Sequence, residues 1–167
     1  MFRKDLLRFR DINGNIDWSE PSIFIIFIYR LGKSIEKIKF YPLRKLLKLI
    51  HLPFFIFSSL LIGIHIPRSC EIGPGLRIYH FGCIILNPLT KIGSNCTLRH
   101  GVTIGNRKSE DDVPVLGDNV NIGAGAKILG KISIGDNVSI GANAVVLSDV
   151  PNNHIAVGIP AKVFLKK

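Results

Sequence analysis

The chain has 167 residues and a mass of 18.5 kDa, which fits a single domain with at most a small appendage. Apolar residues make up 47% of the chain, enough to bury a core, so intrinsic disorder is excluded. Lys and Arg total 22 against 12 Asp and Glu. The resulting net charge of +10 favours an anionic partner: a nucleic acid, an anionic membrane or a phosphate-bearing small molecule.

The first 62 residues predict a helical region. They hold eight of the ten Phe residues and a net charge of +6, from 11 basic and 5 acidic side chains. Between 21 and 50, aliphatic and basic residues recur at helical spacing; Pro42 is expected to separate two helices, and Ser19 or Ser22 to cap the first. Residues 1–62 either cover the open end of the following domain or lay a basic, Phe-rich face on anionic lipid, and the two roles are compatible.

Targeting signals and disulfides are not expected. Residues 1–10 are mixed and charged, unlike a secretory signal peptide. The longest apolar run, Leu52–Ile64, has about 13 residues and contains Pro53, whereas a membrane-spanning helix needs about 20. The three cysteines are odd in number and lack the spacing of a zinc site, so they predict small buried residues of a reduced protein. These features predict a cytoplasmic location.

An aliphatic residue recurs every six positions in the second region, residues 63–167. A period of six fits neither an α-helix nor an alternating hairpin, but it fits a parallel β-helix whose coils have three flat sides of six residues. The repeat predicts about four to five coils, and the runs Gly117–Asn119 and Gly135–Asn137 suit corners that need a left-handed backbone. The recurring residues are Ile66, Ile72, Ile78, Ile84, Ile92, Leu98, Ile104, Leu116, Ile122, Ile128, Ile134, Ile140 and Val146.

These hexads resemble those of the hexapeptide-repeat acyltransferases, which fold as left-handed parallel β-helices. The resemblance implies a mainly β domain over residues 63–167 and homotrimers with active sites between neighbouring prisms. Residues 106–115 interrupt the repeat and are polar and charged, so they are expected to protrude as a loop.

Two histidines stand at equivalent positions of the repeat. His80 and His100 are each the third residue of a hexad, and one full turn should stack them on the same face, with backbones about 5 Å apart. Such a pair suits a base that works near neutral pH. Some β-helix enzymes gather three histidines around zinc, but His51, His65 and His154 are scattered here, so no metal site is expected.

The stretch Ile64–Gly105 resembles serine O-acetyltransferases, and still more their relatives that acetylate sugars of bacterial surface polysaccharides. The resemblance implies that His80 is the general base, which takes the proton from an acceptor hydroxyl as that oxygen attacks the acetyl thioester. It also implies that backbone amide donors for the oxyanion lie at Gly105 and Asn106, where the repeat breaks.

One departure from the family concerns the partner of the catalytic histidine. The family usually holds this histidine with a carboxylate some fifteen residues upstream, and His65 stands at that position. A histidine cannot serve as a permanent anion. Either Asp11 or Asp17 from the N-terminal region replaces the carboxylate, or the base works without one; His65 and His100 are candidate supporting residues.

Two further departures concern the acceptor. Serine acetyltransferases carry an Arg-His pair that holds the carboxylate of serine, and Asp112 and Val113 stand there instead. Tyr79 replaces an Asp that would meet the ammonium group, and an aromatic ring beside the base suits a sugar. Tyr79 and Asp112 are therefore candidate substrate-binding residues, and these changes favour a carbohydrate hydroxyl over free serine.

The resemblance also implies that acetyl-CoA is the co-substrate. Small residues at Ala124 and Ala142 would let the pantetheine arm lie against the backbone. The segment Ala156–Lys162 is similar to the closing segment of the family, in which Lys162 would meet the phosphates of the coenzyme.

The sequence therefore predicts an acetyl-CoA-dependent O-acetyltransferase of sugar hydroxyls in surface-polysaccharide assembly, with peripheral contact at the inner face of the membrane. Serine O-acetylation in cysteine synthesis is the nearest alternative, and a non-catalytic scaffold at a membrane surface is an alternative from another class. Nucleic acid is disfavoured as a partner, because the basic residues lie among Phe and Ile rather than in a stripe along the prism.

Overall fold

The structure is a computed structural model in which residues 1–80 and 82–166 are described. Its N-terminal helices are α1 (Phe2–Leu6), followed by a 3-10 turn, α2 (Pro21–Glu36) and α3 (Tyr41–Leu60). No helix of the described residues is long and apolar enough to cross a bilayer.

Prolines mark the start of both long helices. Pro21 and Pro42 lie in the first turns of α2 and α3, where the missing N–H is not needed, so Pro42 separates two helices as predicted. The predicted serine cap is wrong: Glu20 is the N-cap of α2 without a side-chain hydrogen bond. Ser22 is instead buried, and its hydroxyl donates to the carbonyl of Ile78 at 2.9 Å, because packing against the β-domain takes the side chain away from the helix end.

Fifteen short strands follow in the described residues, and they form three sheets. The first sheet has the order β1-β4-β7-β10-β13, the second β11-β8-β5-β2, and the third β15-β14-β12-β9-β6-β3. The strands are β1 (Ile64–His65), β2 (Glu71–Ile72), β3 (Arg77–Tyr79), β4 (Ile84–Leu86), β5 (Lys91–Ile92), β6 (Thr97–Arg99), β7 (Thr103–Gly105), β8 (Val115–Leu116), β9 (Asn121–Ile122), β10 (Lys127–Leu129), β11 (Ser133–Ile134), β12 (Ser139–Ile140), β13 (Val145–Val146), β14 (His154–Gly158) and β15 (Ala161–Leu165).

Each sheet stacks successive coils of a parallel β-helix. Pairing is parallel throughout, apart from the antiparallel pair β14–β15. The register aligns the hexad residues, as in Ile104 with Ile128 and Ile128 with Val146, and these side chains are buried in the core. The predicted β-helix of four to five coils is confirmed, and its interior is the row of aliphatic residues that the period of six identified.

The corners have the left-handed backbone that the sequence predicted. Asn119 and Asn137 both have φ of 58°, a region that asparagine tolerates better than most residues. The side-chain amide of Asn119 donates to the side-chain oxygen of Asn137 at 3.2 Å, and the backbone N–H of Asp118 donates to the carboxylate of Asp136 at 2.7 Å. Side-chain ladders therefore tie successive corners together.

The N-terminal helices cover the first coil and satisfy its backbone. Asp5 is fully buried, accepts hydrogen bonds from the N–H groups of Gly75 and Leu76 at 2.7 and 2.9 Å, and pairs with Arg30 at 2.8 Å. Arg30 and Tyr29 donate to carbonyls of the same coil. Buried polar backbone groups need such partners, so the helices cap the open end of the β-helix.

Between β7 and β8 the chain leaves the prism in a loop. Residues 106–111 are exposed, whereas Val113 and Pro114 are buried against the prism. The predicted loop ended at 115, but Val115 already belongs to β8, because its neighbour Leu116 resumes the hexad row.

Candidate active site

An irregular corner between β3 and β4 presents His80. The residue follows Tyr79 at the end of β3 and has φ of 56°, and Gly82 and Cys83 in the same corner have φ of 117° and 53°. Residues held in sparsely populated backbone regions cluster at functional sites. His80 is also exposed, so a substrate can reach its ring.

His80 faces His100 from the next coil. The two ring centroids are 5.9 Å apart, with the planes inclined at 68°, and both side chains are exposed. The predicted stacking of the two histidines on one face is thereby confirmed. An exposed imidazole can accept a proton from a bound hydroxyl, and its neighbour lines the same surface.

Tyr79 forms an aromatic wall beside His80. The guanidinium of Arg77 lies between two rings, with its Cζ 3.9 Å from the centroid of Phe9 and 4.4 Å from that of Tyr79. Glu20 holds Arg77 at 3.7 Å, and Arg99 approaches the Tyr79 ring to 5.5 Å. Tyr79 remains 38% exposed, so part of its ring is accessible to an acceptor.

His65 is engaged by α3. Its Nδ1 lies 3.2 Å from the hydroxyl of Ser59, and its ring centroid is 5.2 Å from that of Phe55. The contacts found for His65 therefore attach the first coil to α3, and no hydrogen bond joins His65 to His80 in the described part of the chain.

The two candidate carboxylates are occupied in their own turns. Asp11 accepts hydrogen bonds from the N–H groups of Asn13 and Asn15 at 2.8 and 2.9 Å. Asp17 accepts from the hydroxyl and the N–H of Ser19, which hold the pKa of Asp17 below its ordinary value. Neither carboxylate hydrogen-bonds the candidate base among the described residues, so the structure brings no orienting anion to it.

Gly105 and Asn106 lie where β7 meets the protruding loop. A Cβ added to Gly105 would meet only the side chain of Leu129, at 3.9 Å, so the surface beside this glycine is open. Asn106 is exposed, and its side-chain oxygen accepts a hydrogen bond from Asn87 at 3.4 Å. Asp112 lies at the base of the loop and accepts from the N–H of Lys108 at 3.1 Å, which gives it a part in shaping the loop.

Ala124 and Ala142 lie where successive coils approach closely. A Cβ added to Gly123 would lie 2.5 Å from the amide nitrogen of Ala142, so the stacking of the coils requires a glycine at position 123. Ala142 nevertheless remains exposed, which leaves its backbone accessible. Lys162 is exposed on β15, where it pairs with Val157.

The remaining histidines have structural contacts. His51 is buried, and its Nε2 lies 2.8 Å from the carbonyl of Ile28; Nδ1 of His154 lies 2.7 Å from the carbonyl of Asn152. In residues 1–80 and 82–166, no group of three or more His, Cys, Asp or Glu side chains is placed to hold a metal ion.

Sequence reasoning missed the two arginines around Tyr79. Arg77 supports the ring, and Arg99 lies directly beside it, because the register pairs the Cα atoms of Tyr79 and Arg99. One signal was available: Arg99 precedes His100 as Tyr79 precedes His80, so the two should share a face whenever the histidines do.

Comparison with known proteins identifies the family. The profile of the bacterial transferase hexapeptide (six repeats) matches residues 114–148. Serine acetyltransferase of Helicobacter pylori (strain J99) is 40% identical over 148 residues, which cover 87% of this chain and 82% of that protein. The putative colanic acid biosynthesis acetyltransferase WcaB of Escherichia coli (strain K12) is 38% identical over 109 residues, covering 65% of this chain and 67% of that protein.

Solved structures give the same result. The crystal structure of Neisseria gonorrhoeae serine acetyltransferase (CysE) matches with a TM-score of 0.81 and 30% identity, covering 99% of this chain and 64% of that one. A serine acetyltransferase in complex with CoA matches with a TM-score of 0.79 and 29% identity, covering 98% of this chain and 68% of that one. The chain therefore belongs to the hexapeptide-repeat acetyltransferases. This membership disfavours the alternative of a non-catalytic scaffold.

Proposed function

We propose that the protein is an acetyl-CoA-dependent O-acetyltransferase with His80 as general base. The observation that carries the proposal is the exposed His80 in its irregular corner, with His100 beside it, in a chain of this family. Acetyl-CoA as the donor is supported by the structural likeness to a serine acetyltransferase solved with CoA.

The reaction needs a base, an oriented hydroxyl and donors for the oxyanion. The imidazole of His80 takes the hydroxyl proton as the acceptor oxygen attacks the thioester carbonyl. The tetrahedral intermediate then collapses, the carbon–sulfur bond breaks, and the proton passes from the imidazolium to the leaving thiolate. The products are an acetyl ester and CoA. Backbone amides near Gly105 and Asn106 are proposed to stabilise the oxyanion, a contribution of roughly 2.7–4 kcal/mol per donor in other acyl transferases.

The coenzyme is proposed to lie along the prism next to the small residues. Exposed Ala142 and half-buried Ala124 leave the backbone open to the pantetheine arm. Lys162, exposed on the last hairpin, is proposed to meet the phosphates.

Free serine is the acceptor that the comparisons favour. The relative with the broadest coverage reported above, at 82% of its length, is a serine acetyltransferase, and so are both structural neighbours. The sequence alone favoured a sugar hydroxyl over serine, whereas the comparisons support serine better than a sugar. The sequence argued against serine because Asp112 and Val113 stand in place of a carboxylate-binding pair and Tyr79 stands in place of an Asp. In the structure Asp112 shapes the loop and Val113 is buried.

A sugar hydroxyl is the second candidate. It is supported by the likeness to WcaB and by the partly exposed ring of Tyr79 next to the base. A sugar ring packs its C–H faces on such an aromatic ring, whereas the ammonium group of serine gains a cation–π contact there at most.

Replacement of His80 by asparagine tests the general base. Asparagine tolerates the φ of 56° at this corner, so His80→Asn is expected to fold and to lower kcat by about 100-fold or more. Thiol release from acetyl-CoA is measured with L-serine and with a panel of hexoses and nucleotide sugars. His154→Asn, the same change on β14, is the matched control and should retain wild-type turnover.

Undiminished turnover by His80→Asn would refute the assignment of the base. No release by wild type with any acceptor would refute the proposed function. Saturable acetylation of L-serine at millimolar or lower concentration identifies serine as the acceptor, and saturation by one sugar alone reverses the order of the two candidates.

We propose further that the protein forms homotrimers with neighbouring prisms side by side. Apolar side chains on the prism support this, because Ile85, Leu89 and Val115 are about half exposed in the single chain. Sedimentation equilibrium would give three times the 18.5 kDa of the chain, and a monomer at micromolar concentration would contradict the proposal.

We also propose that α3 rests on the inner face of an anionic membrane. Its buried side chains are confined to His51 and Ser58, while Leu46, Leu49 and Leu60 are more than half exposed. The segment 37–70 carries basic side chains and no Asp or Glu. An exposed apolar face flanked by basic residues is typical of helices that lie in the interface of anionic lipid.

A further inference from the structure

Arg99 lies along the wall of the candidate site. Its Cα is the register partner of Tyr79, and its guanidinium carbon is 5.5 Å from the Tyr79 ring centroid. The next residue is His100, whose ring is 5.9 Å from that of His80. A small acceptor with its hydroxyl at His80 and its body against Tyr79 would therefore place its far end towards Arg99.

The hydrogen bonds of Arg99 orient its guanidinium and leave one edge open. Nη1 donates to the side-chain oxygen of Asn121 at 2.6 Å and is 3.4 Å from the carbonyl of Ile122. Nε and Nη2 have no hydrogen-bond partner in the part of the chain that the structure describes. These two nitrogens form the edge with which arginine binds a carboxylate through two parallel hydrogen bonds.

Arg99 differs from Arg30 and Arg77 in its charge environment. Arg30 pairs with Asp5 at 2.8 Å, and Arg77 approaches Glu20 to 3.7 Å. For Arg99, no Asp or Glu oxygen of the described residues lies within 4.0 Å. A half-buried cation that is held in place and lacks a counter-ion favours an anionic ligand.

We infer that Arg99 is an acceptor-binding residue that holds a carboxylate of the acceptor while His80 removes the proton from its hydroxyl. The inference rests on the proposed function and narrows its acceptor class to hydroxyl compounds that carry a carboxylate. L-Serine and the uronic acids are both of this kind. Arg99 would then do the work of the carboxylate-binding pair that Asp112 and Val113 cannot provide.

Paired acceptors that differ only in charge test the inference. L-Serine is compared with L-serinamide, and glucuronate with glucuronamide, by thiol release from acetyl-CoA. Arg99→Gln is expected to lower kcat/KM for the acidic member by about 10- to 100-fold, chiefly through KM, and to leave the neutral member and the KM of acetyl-CoA unchanged. For the acidic member, the kcat/KM of Arg99→Lys should lie between those of wild type and Arg99→Gln, because an ammonium group keeps the charge but cannot present two parallel donors.

Lys4→Gln, which removes one exposed positive charge from α1, is the matched control and should match wild type. Thiol release with L-serine and with glucuronate shows which of the two acidic acceptors the enzyme uses. The inference would be overturned if the ratio of kcat/KM for the acidic acceptor to kcat/KM for the neutral acceptor were the same in Arg99→Gln as in wild type. A wild-type preference for the neutral member would also overturn it.

The failure of the proposed function is distinguishable from the failure of this inference. If wild type releases no thiol with any acceptor, the proposed function fails. The binding of L-serine and glucuronate, measured by calorimetry, then still tests whether Arg99 holds the carboxylate of the acceptor. Binding that Arg99→Gln weakens at least tenfold supports the inference, whereas equal binding by both proteins, or no binding by wild type, overturns it.

Discussion

The three thiols of the chain occupy two kinds of environment. Cys70 and Cys96 are buried in the core, and burial raises the pKa of Cys70 to about 12 and that of Cys96 to about 11. Cys83 is exposed, so the prediction of three buried cysteines is wrong for this residue. The cause is its position in the irregular corner beside His80, outside the row of core residues.

Thiol reactivity should separate these cysteines. In the folded protein, one thiol is expected to react with an aromatic disulfide within minutes at pH 8, and two should stay unreactive because they are buried and protonated. Raising the pH to 9 should leave the two buried thiols unreactive, since their raised pKa values keep them neutral. The count of released chromophore measures this, and Cys83→Ser should abolish the fast phase. A fast phase that survives in Cys83→Ser would contradict the assignment.

At the scale of elements, the contact between the helices and the first coil is polar as well as apolar. Arg30 donates to the carbonyls of Ile72 and Gly73 at 2.7 and 2.6 Å. The hydroxyl of Tyr29 donates to the carbonyl of Cys70 and accepts from the N–H of Ile72. Burial raises the pKa of Tyr29 to about 12, so its hydroxyl remains a donor at any physiological pH. The helices therefore supply the hydrogen bonds that a preceding coil would have made.

Loss of the buried carboxylate should damage this contact severely. Asp5→Ala leaves Arg30 buried without its partner and two backbone N–H groups unpaired, which should cost about 3–5 kcal/mol of the free energy of unfolding. Urea denaturation measures the change. Glu110→Gln, an exposed acid in the loop, should stay within about 0.5 kcal/mol of wild type. Equal effects of the two substitutions would refute the role of Asp5.

The sequence predicts an element well when the pattern that specifies it is local, and poorly when the element depends on contacts between residues that are distant in the sequence. The β-helix was predictable because its rule is local: each sixth residue faces the core, as Ile104 and Ile128 do. The pair of His80 and His100 followed from the same period. The pair of Asp5 and Arg30, 25 residues apart, was not predictable because no periodicity relates a residue of α1 to a residue of α2. Arg99 was missed for a different reason: its significance depends on which of its own N–H donors are already bonded to neighbouring residues, and only the structure shows this.

At the scale of the whole molecule, the positive charge is unevenly placed. Lys48 and Arg68 share Glu36 at 2.8 and 3.3 Å, and this contact lowers the pKa of Glu36. Arg44 and Lys45 lie on the same helix as the exposed leucines. Helix α3 thus carries basic side chains next to its exposed apolar side chains, and the region 1–62 has a net charge of +6 against +4 for residues 63–167.

Vesicle binding should follow from this distribution. The protein is expected to float with vesicles containing 30% phosphatidylserine and not with neutral phosphatidylcholine, and binding should weaken with salt. Lys45→Glu and Leu49→Glu should each weaken binding at least fivefold without loss of acetyl transfer to soluble acceptors. Lys131→Glu, an exposed site on the prism, is the matched control. Equal binding to both kinds of vesicle would contradict the membrane proposal.

The antiparallel hairpin of β14 and β15 has a consequence for how copies of the chain can meet. A spiral of parallel strands could in principle be lengthened without limit by docking one molecule on the end of the next, as in a fibre. Here β15 runs against the direction of the spiral, so the third sheet ends in a strand that another first coil could not continue in parallel. The opposite end lies beneath the helices. The helices at one end and the antiparallel hairpin at the other therefore disfavour lengthwise stacking, in agreement with the proposal that copies assemble through the flat sides of the prism.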